Sequence, residues 1–399
     1  MGKREKGEVK KYIYMTGLAL RDNNRGTAAL GYGALGFLCE KGLIKESQSI
    51  VNIEERSLLT FAKSIIKRRA IRKKKEIIKA NNLQWQYEEF YMFHFEKRMA
   101  RRFPLLRKFS IYERIICNTE FVAAINGGDG FSDIYGKEIF IQRLPGIQMA
   151  MENGIPLMLL PQTIGPFNDP EIWAIAKKIL HYADWVFVRD KKFTHILDQE
   201  KISYEVTKDL SYYMKPETWQ IDIPKGCVGL NVSGLAYSNN FSGLEHKFDL
   251  YPVLIRNIIS EFQTIGVPLF LIPHSYNHRK SEPNNDDLEA CRKVYSELKG
   301  KKNVYVIDKD MTSPMVKYVI SRMSFFIGTR MHANFAAIYT NVPVFGLAYS
   351  YKFAGGFSSN GLDGEKQTAM IIDMTQDDVT LIVQRIMTLY KESIKPNMS

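Results

Sequence analysis

The chain has 399 residues, 45% hydrophobic and 25% charged, which is the balance of a folded globular protein with two to three domains. That composition excludes wholesale disorder, a collagen-like repeat and a coiled coil, and the longest apolar runs (155–160 and 267–272) fall far short of the ~18 residues a membrane-spanning helix needs. The formal net charge is +12, and +11 of it lies between Lys63 and Lys108, where eight Lys and seven Arg face four Glu.

The first residues imitate a secretory leader, with Lys3, Arg4, Lys6, Lys10 and Lys11 ahead of an apolar stretch. Leu20-Arg21 offers no small-residue cleavage site, and position 6 lacks the Ser or Thr that myristoylation wants, so the segment reads as a first strand. Short apolar or β-branched runs follow at 12–15, 50–53, 121–125, 156–160, 185–188 and 204–206, separated by helix-like stretches. That alternation predicts a parallel sheet with helical crossovers. Between the second and third runs, the basic stretch is interleaved with aromatics, and Phe61, Ile65, Ile66, Ile77 and Ile78 fit one side of a helix. We therefore expect a basic helical insertion over about 61–110. Such a surface suits an anionic membrane or acceptor, at about 1 kcal/mol per Lys or Arg near an anionic leaflet, and equally a solvated helical face.

The segment 215–225 (KPETWQIDIPK) has two prolines and little periodicity and reads as a linker. Beyond it, runs at 228–232, 269–272, 304–307, 325–328 and 342–347 alternate with helical stretches near 249–264, 286–299, 314–322 and 331–339. The expected fold class is α/β, with two Rossmann-like doubly wound domains, 1–214 and 226–399, facing a cleft. The four cysteines, Cys39, Cys117, Cys227 and Cys291, show neither a CxxC pair nor zinc spacing, so a reducing, cytoplasmic setting without a structural metal is expected.

In doubly wound sheets, ligands sit beyond the carboxyl ends of the strands. Gly31-Tyr32-Gly33-Ala34-Leu35-Gly36 is a literal GxGxxG, but the strand-to-helix turn falls around 22–26, which places these glycines inside a helix, where they permit close packing. Asp308-Lys309-Asp310 resembles the DxD of metal-dependent sugar transferases, yet it precedes a helix start at Thr312-Ser313-Pro314. His274 and His278 have no evident third ligand and read as loop polarity. Four loops after strands are stronger candidates: 126–133 with Gly127 and Gly128, 161–167 with Gln162 and Thr163, Arg189-Asp190, and 328–334 with Arg330, Met331 and His332. The last runs from a strand straight into a helix, so its amides, Arg and His can converge on an anion.

Read in order, NGGDGFSD, PQTIGPF, VFVRDKKF, VTKDLSYYM, FLIPHS and GTRMHANFAAIYTNVPVFGLAYSYKFAGG resemble the polysaccharide pyruvyl transferase family across most of the chain. The resemblance implies a glycosyltransferase-B-like pair of Rossmann-type domains and transfer of a pyruvyl ketal, 4,6-linked by family expectation, from phosphoenolpyruvate to a saccharide in surface polysaccharide (capsule or exopolysaccharide) biosynthesis. Two loops depart from the family pattern, at Gly127-Gly128-Asp129 with Asp133 and at Asn24-Arg25-Gly26-Thr27.

Phosphoenolpyruvate carries a phosphate and a carboxylate, which assigns Arg189, Arg330 and Lys352 to its anions, while His332 becomes the general acid that protonates its methylene carbon. Asp133 is the first choice for a base, ahead of Asp190 and Asp209. Gln162, Thr163, Gly127, Gly128, Asn24 and Met331 complete the expected substrate contacts. No cofactor, metal or nucleic acid is expected. The expected acceptor is galactose-like or an N-acetylated hexosamine, either free, polymeric or carried on a polyprenyl diphosphate at the inner face of the membrane, the last with 63–108 as the peripheral contact. Two alternatives stay open: a glycosyltransferase of the same fold using a nucleotide-sugar donor, and a catalytically idle carbohydrate-binding protein.

Overall fold

A computed structural model describes residues 11–45, 47–57, 59, 73–93, 102–103, 111–350 and 352–394. The chain divides into two compact units, one of Met1–Ala19 with Leu30–Met214, the other of Leu20–Ala29 with Lys215–Ser399. Both are Rossmann-like α/β units of the glycosyltransferase-B type.

In the first unit, strands β1 (Tyr12–Thr16), β2 (Ser49–Arg56), β3 (Lys73–Ala80), β4 (Leu83–Phe93), β5 (Thr119–Ala124), β6 (Leu157–Gln162), β7 (Trp185–Val188) and β8 (Glu205–Val206) form one sheet. Its order is β3-β4-β2-β1-β5-β6-β7-β8, parallel throughout except for the antiparallel β3/β4 pair. The described helices are α1 (Arg25–Glu40), whose first turn groups with the second unit, then α2 (Ile111–Asn118), α3 (Lys137–Gln142), α4 (Pro145–Asn153), α5 (Pro170–Tyr182) and α6 (His195–Gln199). Strands β1 and β6 are buried at every position, as central parallel strands covered on both faces must be. One face packs Tyr14, Val122, Ala124 and Leu159 against Ile147 and Ala150 of α4 and Ile172 and Ala176 of α5. Along α1, a Cβ at Gly33 would fall 1.8 Å from the Leu210 carbonyl oxygen, and one at Gly36 2.2 Å from that of Tyr213. The GxGxxG glycines thus let α1 lie directly on the 210–213 turn.

The basic stretch differs from expectation. Its longest described part, 73–93, is a β-hairpin, not a helix, while 61–72, 94–101 and 104–110 lie outside the described residues. From Lys75 to Ala80 exposure alternates, so Ile77 is 64% exposed and Ile78 only 7%. A period of two is the signature of a strand. Asn81 and Asn82 both take positive φ (54° and 65°), the backbone that a two-residue hairpin turn demands. Lys75 faces Glu88 across the pair at 3.2 Å. Because β4 also pairs in parallel with β2, it serves as the third strand of the doubly wound order. Lysine-rich β3 then forms the outer edge, where charge discourages pairing with another chain.

The second unit holds β9 (Val228–Asn231), β10 (Leu269–Leu271), β11 (Val304–Val306), β12 (Phe325–Gly328), β13 (Val344–Ala348) and β14 (Thr368–Met370). Its helices are α7 (Gly234–Ser238), α8 (Tyr251–Thr264), α9 (Asp287–Glu297), α10 (Ser313–Ser321), α11 (Met331–Ile338), α12 (Lys352–Ser358) and α13 (Gln376–Ser393). The all-parallel order β11-β10-β9-β12-β13-β14 is the doubly wound 3-2-1-4-5-6 arrangement, with its switch point between β9 and β12. The 215–225 segment, read from sequence as a linker, is docked on this unit. Trp219, Ile221 and Ile223 pack on its core, and the Glu217 amide donates to the Pro314 carbonyl at 3.1 Å.

Candidate functional site

At the switch point of the second unit, Asn231 ends β9 and Gly328 ends β12. Asn231 Oδ1 accepts from the Arg330 amide at 2.8 Å, and its Nδ2 donates to the Ile272 carbonyl and to Asp287. Asp287, fully buried, is the hub of this end of the sheet. Its carboxylate accepts from the amides of Gly234, His274 and Ser275 and from Arg330 Nη2 at 2.7 Å. Arg330 Nη2 also donates to Asn285 Oδ1 at 2.8 Å. A buried carboxylate is tolerable only with such compensation. Arg330 is therefore committed to Asp287 through Nε and Nη2. It thereby positions the loops around the switch point, and Asp287 holds its guanidinium charged despite the burial.

Asn334 closes the turn into α11, donating to the carbonyls of Gly328 and Arg330 at 2.9 and 3.1 Å. The Thr329 hydroxyl donates to the Asn231 carbonyl at 3.1 Å and lies 2.7 Å from the Tyr251 hydroxyl. This fixes His332 in the first turn of α11. A Cβ on Gly26 would come within 2.7 Å of His332 Nδ1, so the imidazole lies on the bare backbone of α1's first turn. Glycine at 26 is thus required by His332. Asn24, an expected substrate contact, accepts from the Gly26 amide at 2.9 Å and caps α1. Met331 occupies the first position of α11 with its sulfur against Gly356, and Lys352 opens α12, its side chain lying outside the described residues.

Arg25 and His274 belong to the same cluster. Arg25 stacks over the Tyr276 ring at 4.3 Å, donates through Nε to the Met311 carbonyl at 2.6 Å, and meets Asp310 at 3.4 Å. Its amide donates to the His274 carbonyl at 2.9 Å. Asp308, the other acid of the DxD-like stretch, pairs with Arg292 at 2.8 Å and His278 at 3.3 Å. His274 is 3% exposed, and its Nδ1 has no hydrogen-bond partner among the described residues. Burial, then the neighbouring His332, Arg330 and Arg25, push its pKa well below the usual histidine value. That positive surrounding favours an anion.

The sign of the pH effect follows. Folding favours the neutral imidazole, so its stability contribution is full above the ordinary value of 6.5 and is lost as pH falls. We expect the melting temperature to drop on acidification, with His274→Gln flattening a slope worth up to about 1.4 kcal/mol per pH unit. Parallel profiles for the two proteins between about pH 5 and 8 would contradict the assignment.

In the first unit, the loop after β5 carries Gly127 and Gly128 at φ 73° and 80°, a left-handed path that favours glycine. The Thr163 amide donates to the Gly128 carbonyl at 2.7 Å, joining this loop to the one after β6. Gln162 is buried at the end of β6. Arg189 donates to Asp209 at 2.8 Å and to the Thr163 hydroxyl at 3.0 Å, and lies 3.7 Å from Asp190. Burial disfavours its charge, but Asp209, Asp129 and Asp190 outweigh that and hold it protonated. Three carboxylates thus surround Arg189, the residue that sequence assigns to the donor's anions. Asp209 also caps the turn after β8, accepting from the Ser211 amide and hydroxyl.

Asp133, the expected base, ends the loop after β5. Its carboxylate accepts from the amides of Asn168 and Asp169 and from Asn168 Nδ2, which ties down the loop leading into α5. Those bonds make it an anchor of that loop. Sequence reasoning missed Arg143, whose Nη1 donates to the Asn126 carbonyl at 2.9 Å, and which stacks on Tyr135 at 5.5 Å. A Cβ at Gly130 would come 1.4 Å from Arg143 Nη1. It also missed Asp287, whose local sequence signals only the helix cap that Asp286 supplies.

The polysaccharide pyruvyl transferase family profile matches residues 24–351, most of the chain. Among solved structures, a putative UDP-N-acetylglucosamine 2-epimerase from Listeria monocytogenes is similar at TM-score 0.53 and 11% identity, covering 97% of this chain and 90% of its own. UDP-GlcNAc 2-epimerase from Methanocaldococcus jannaschii is similar at 0.52 and 10%, covering 94% and 92%. At such identities these likenesses speak to the fold alone. The family match spans both units, from the Asn24 cap to the turn carrying Arg330 and His332, and the chain belongs to the polysaccharide pyruvyl transferase family.

Proposed function

We propose that this enzyme transfers the pyruvyl group of phosphoenolpyruvate onto two hydroxyls of one sugar, giving a 4,6-ketal and inorganic phosphate. The observation that carries the donor assignment is the buried cluster at the switch point of the second unit, where Arg25 and Arg330 lie beside a neutral His274 whose Nδ1 has no hydrogen-bond partner among the described residues, and where the His332 ring lies on the first turn of α1. His332 delivers a proton to the methylene carbon, and one sugar hydroxyl then bonds to the adjacent carbon as its own proton is lost. The carbon–oxygen bond to phosphate breaks, a second hydroxyl takes its place, and the departing phosphate carries the second proton. Of the two protons shed by the sugar, one balances the new methyl group and the other leaves with phosphate. Arg330 and the amino end of α11 hold the donor's anionic groups.

The acceptor contacts fall to the first unit, at Gly127, Gly128, Gln162 and Thr163. Incubation with phosphoenolpyruvate and a panel of hexopyranosides tests the reaction: the expected result is one phosphate released per ketal formed, and phosphate release without a ketal would refute it. The acceptor is lipid-linked, and the enzyme meets the membrane peripherally through 63–108. Supporting this, Lys75, Ile77 and Lys79 all lie exposed along edge strand β3. Flotation with anionic vesicles should carry the protein in low salt and lose it in high salt, since screening shortens the reach of surface charge. Equal flotation with neutral vesicles discards the membrane contact.

A further inference from the structure

Resting on the acceptor reading of the first unit, we infer that Thr16, Asn126 and Gln162 form an uncharged subsite that grips hydroxyl groups of a hexopyranose ring. Thr16 is the last residue of β1, and Asn126 lies two beyond the end of β5, with the Ile125 amide donating to the Thr16 carbonyl at 3.1 Å. Counting β4 as the third strand, β1 and β5 flank the switch point of this unit, where doubly wound sheets bind ligands. Gln162 ends the neighbouring β6, beside the loop that Thr163 joins to Gly128.

Thr16, Asn126 and Gln162 are 7%, 1% and 1% exposed. Thr16 Oγ1 and both amide atoms of Asn126 and of Gln162 have no hydrogen-bond partner among the described residues. Burying such groups unsatisfied costs about 1–3 kcal/mol each, so a cluster of them at a switch point calls for a ligand that satisfies them. Each side chain both donates and accepts, and so does a sugar hydroxyl. A phosphate accepts only and would leave the carbonyl oxygens of Asn126 and Gln162 unanswered. The arrangement therefore selects a neutral polyol, in contrast to the cationic cluster of the second unit.

Saturation-transfer NMR with methyl galactoside and methyl N-acetylglucosaminide, each added to the full-length protein, tests this directly. Thr16→Val and Gln162→Met keep size and remove the polar atoms. We expect at least one glycoside to receive saturation from the wild type and to bind roughly fivefold or more weakly to either variant, the loss of one or two hydrogen bonds. Melting temperatures should hold or rise, since the replacements relieve unsatisfied groups, and stabilisation by phosphoenolpyruvate should persist. Absence of saturation in the wild type, or equal binding by both variants, overturns the subsite; variants that are merely more stable would show that it holds ordered water only. If glycosides bind as expected and phosphoenolpyruvate has no effect, the subsite stands and the donor assignment fails.

Discussion

Replacing His332 by asparagine is expected to abolish ketal formation while leaving the fold intact. Enol phosphates are inert to sugar hydroxyls until the methylene carbon is protonated, and a positioned acid contributes about 10²–10⁴ in rate. Asn334 and Thr329 fix the turn beneath His332, and Gly26 clears space for its ring. Asparagine fits the same space without a titratable proton, so unfolding should shift little. In deuterated water the wild-type product should carry one deuterium in its new methyl group. Near-normal turnover by His332→Asn would remove this residue from the mechanism.

Loss of Asp287 should have the largest effect on stability. Asp287→Ala leaves Arg330 buried beside an empty space and strips the amides of Gly234, His274 and Ser275 of their acceptor. Breaking a buried pair from one side costs about 3–5 kcal/mol. Urea unfolding followed by tryptophan fluorescence and circular dichroism should show the loss in the second unit, with Trp219 reporting it. Arg330→Ala should destabilise by a similar mechanism, so reduced donor use in that variant has to be read against its melting curve. A change below about 1 kcal/mol for Asp287→Ala would mean that the hub is not what holds the switch point.

Much of the fold was legible because central parallel strands are apolar on both faces and stand out as continuous runs, as in 156–160 and 325–328. The turn at Asn24–Gly26 and the packing role of Gly33 and Gly36 were equally readable. The hairpin was not. Its lysines dominate the local composition, and two adjacent isoleucines fit a helix face as easily as opposite sides of a strand. Only the pairing of β4 with β2, some 35 residues earlier in sequence, decides between them.

For the site, sequence located the loops and the residues that carry charge, but not what neutralises each charge. Arg189 meets Asp209 twenty residues away, and Arg330 meets Asp287 across 43. No local pattern encodes those encounters, so Arg330 reads as a free cation and Arg189 as an anion ligand or as a salt-bridge partner of the adjacent Asp190. The orphaned amides of Asn126 and Gln162 were invisible for the same reason: nothing in NGGDGFSD or PQTIGPF distinguishes a satisfied amide from an unsatisfied one.

The most direct test of the donor assignment is a paired thermal titration, with phosphoenolpyruvate in one arm and a panel of nucleotide sugars in the other. A ligand that binds only the folded state stabilises it by about 2.7 kcal/mol at a hundred times its Kd. Phosphoenolpyruvate alone should raise the melting temperature. Stabilisation by a nucleotide sugar, with none from phosphoenolpyruvate, would contradict the pyruvyl transfer proposed here and point to a glycosyl donor on the same fold.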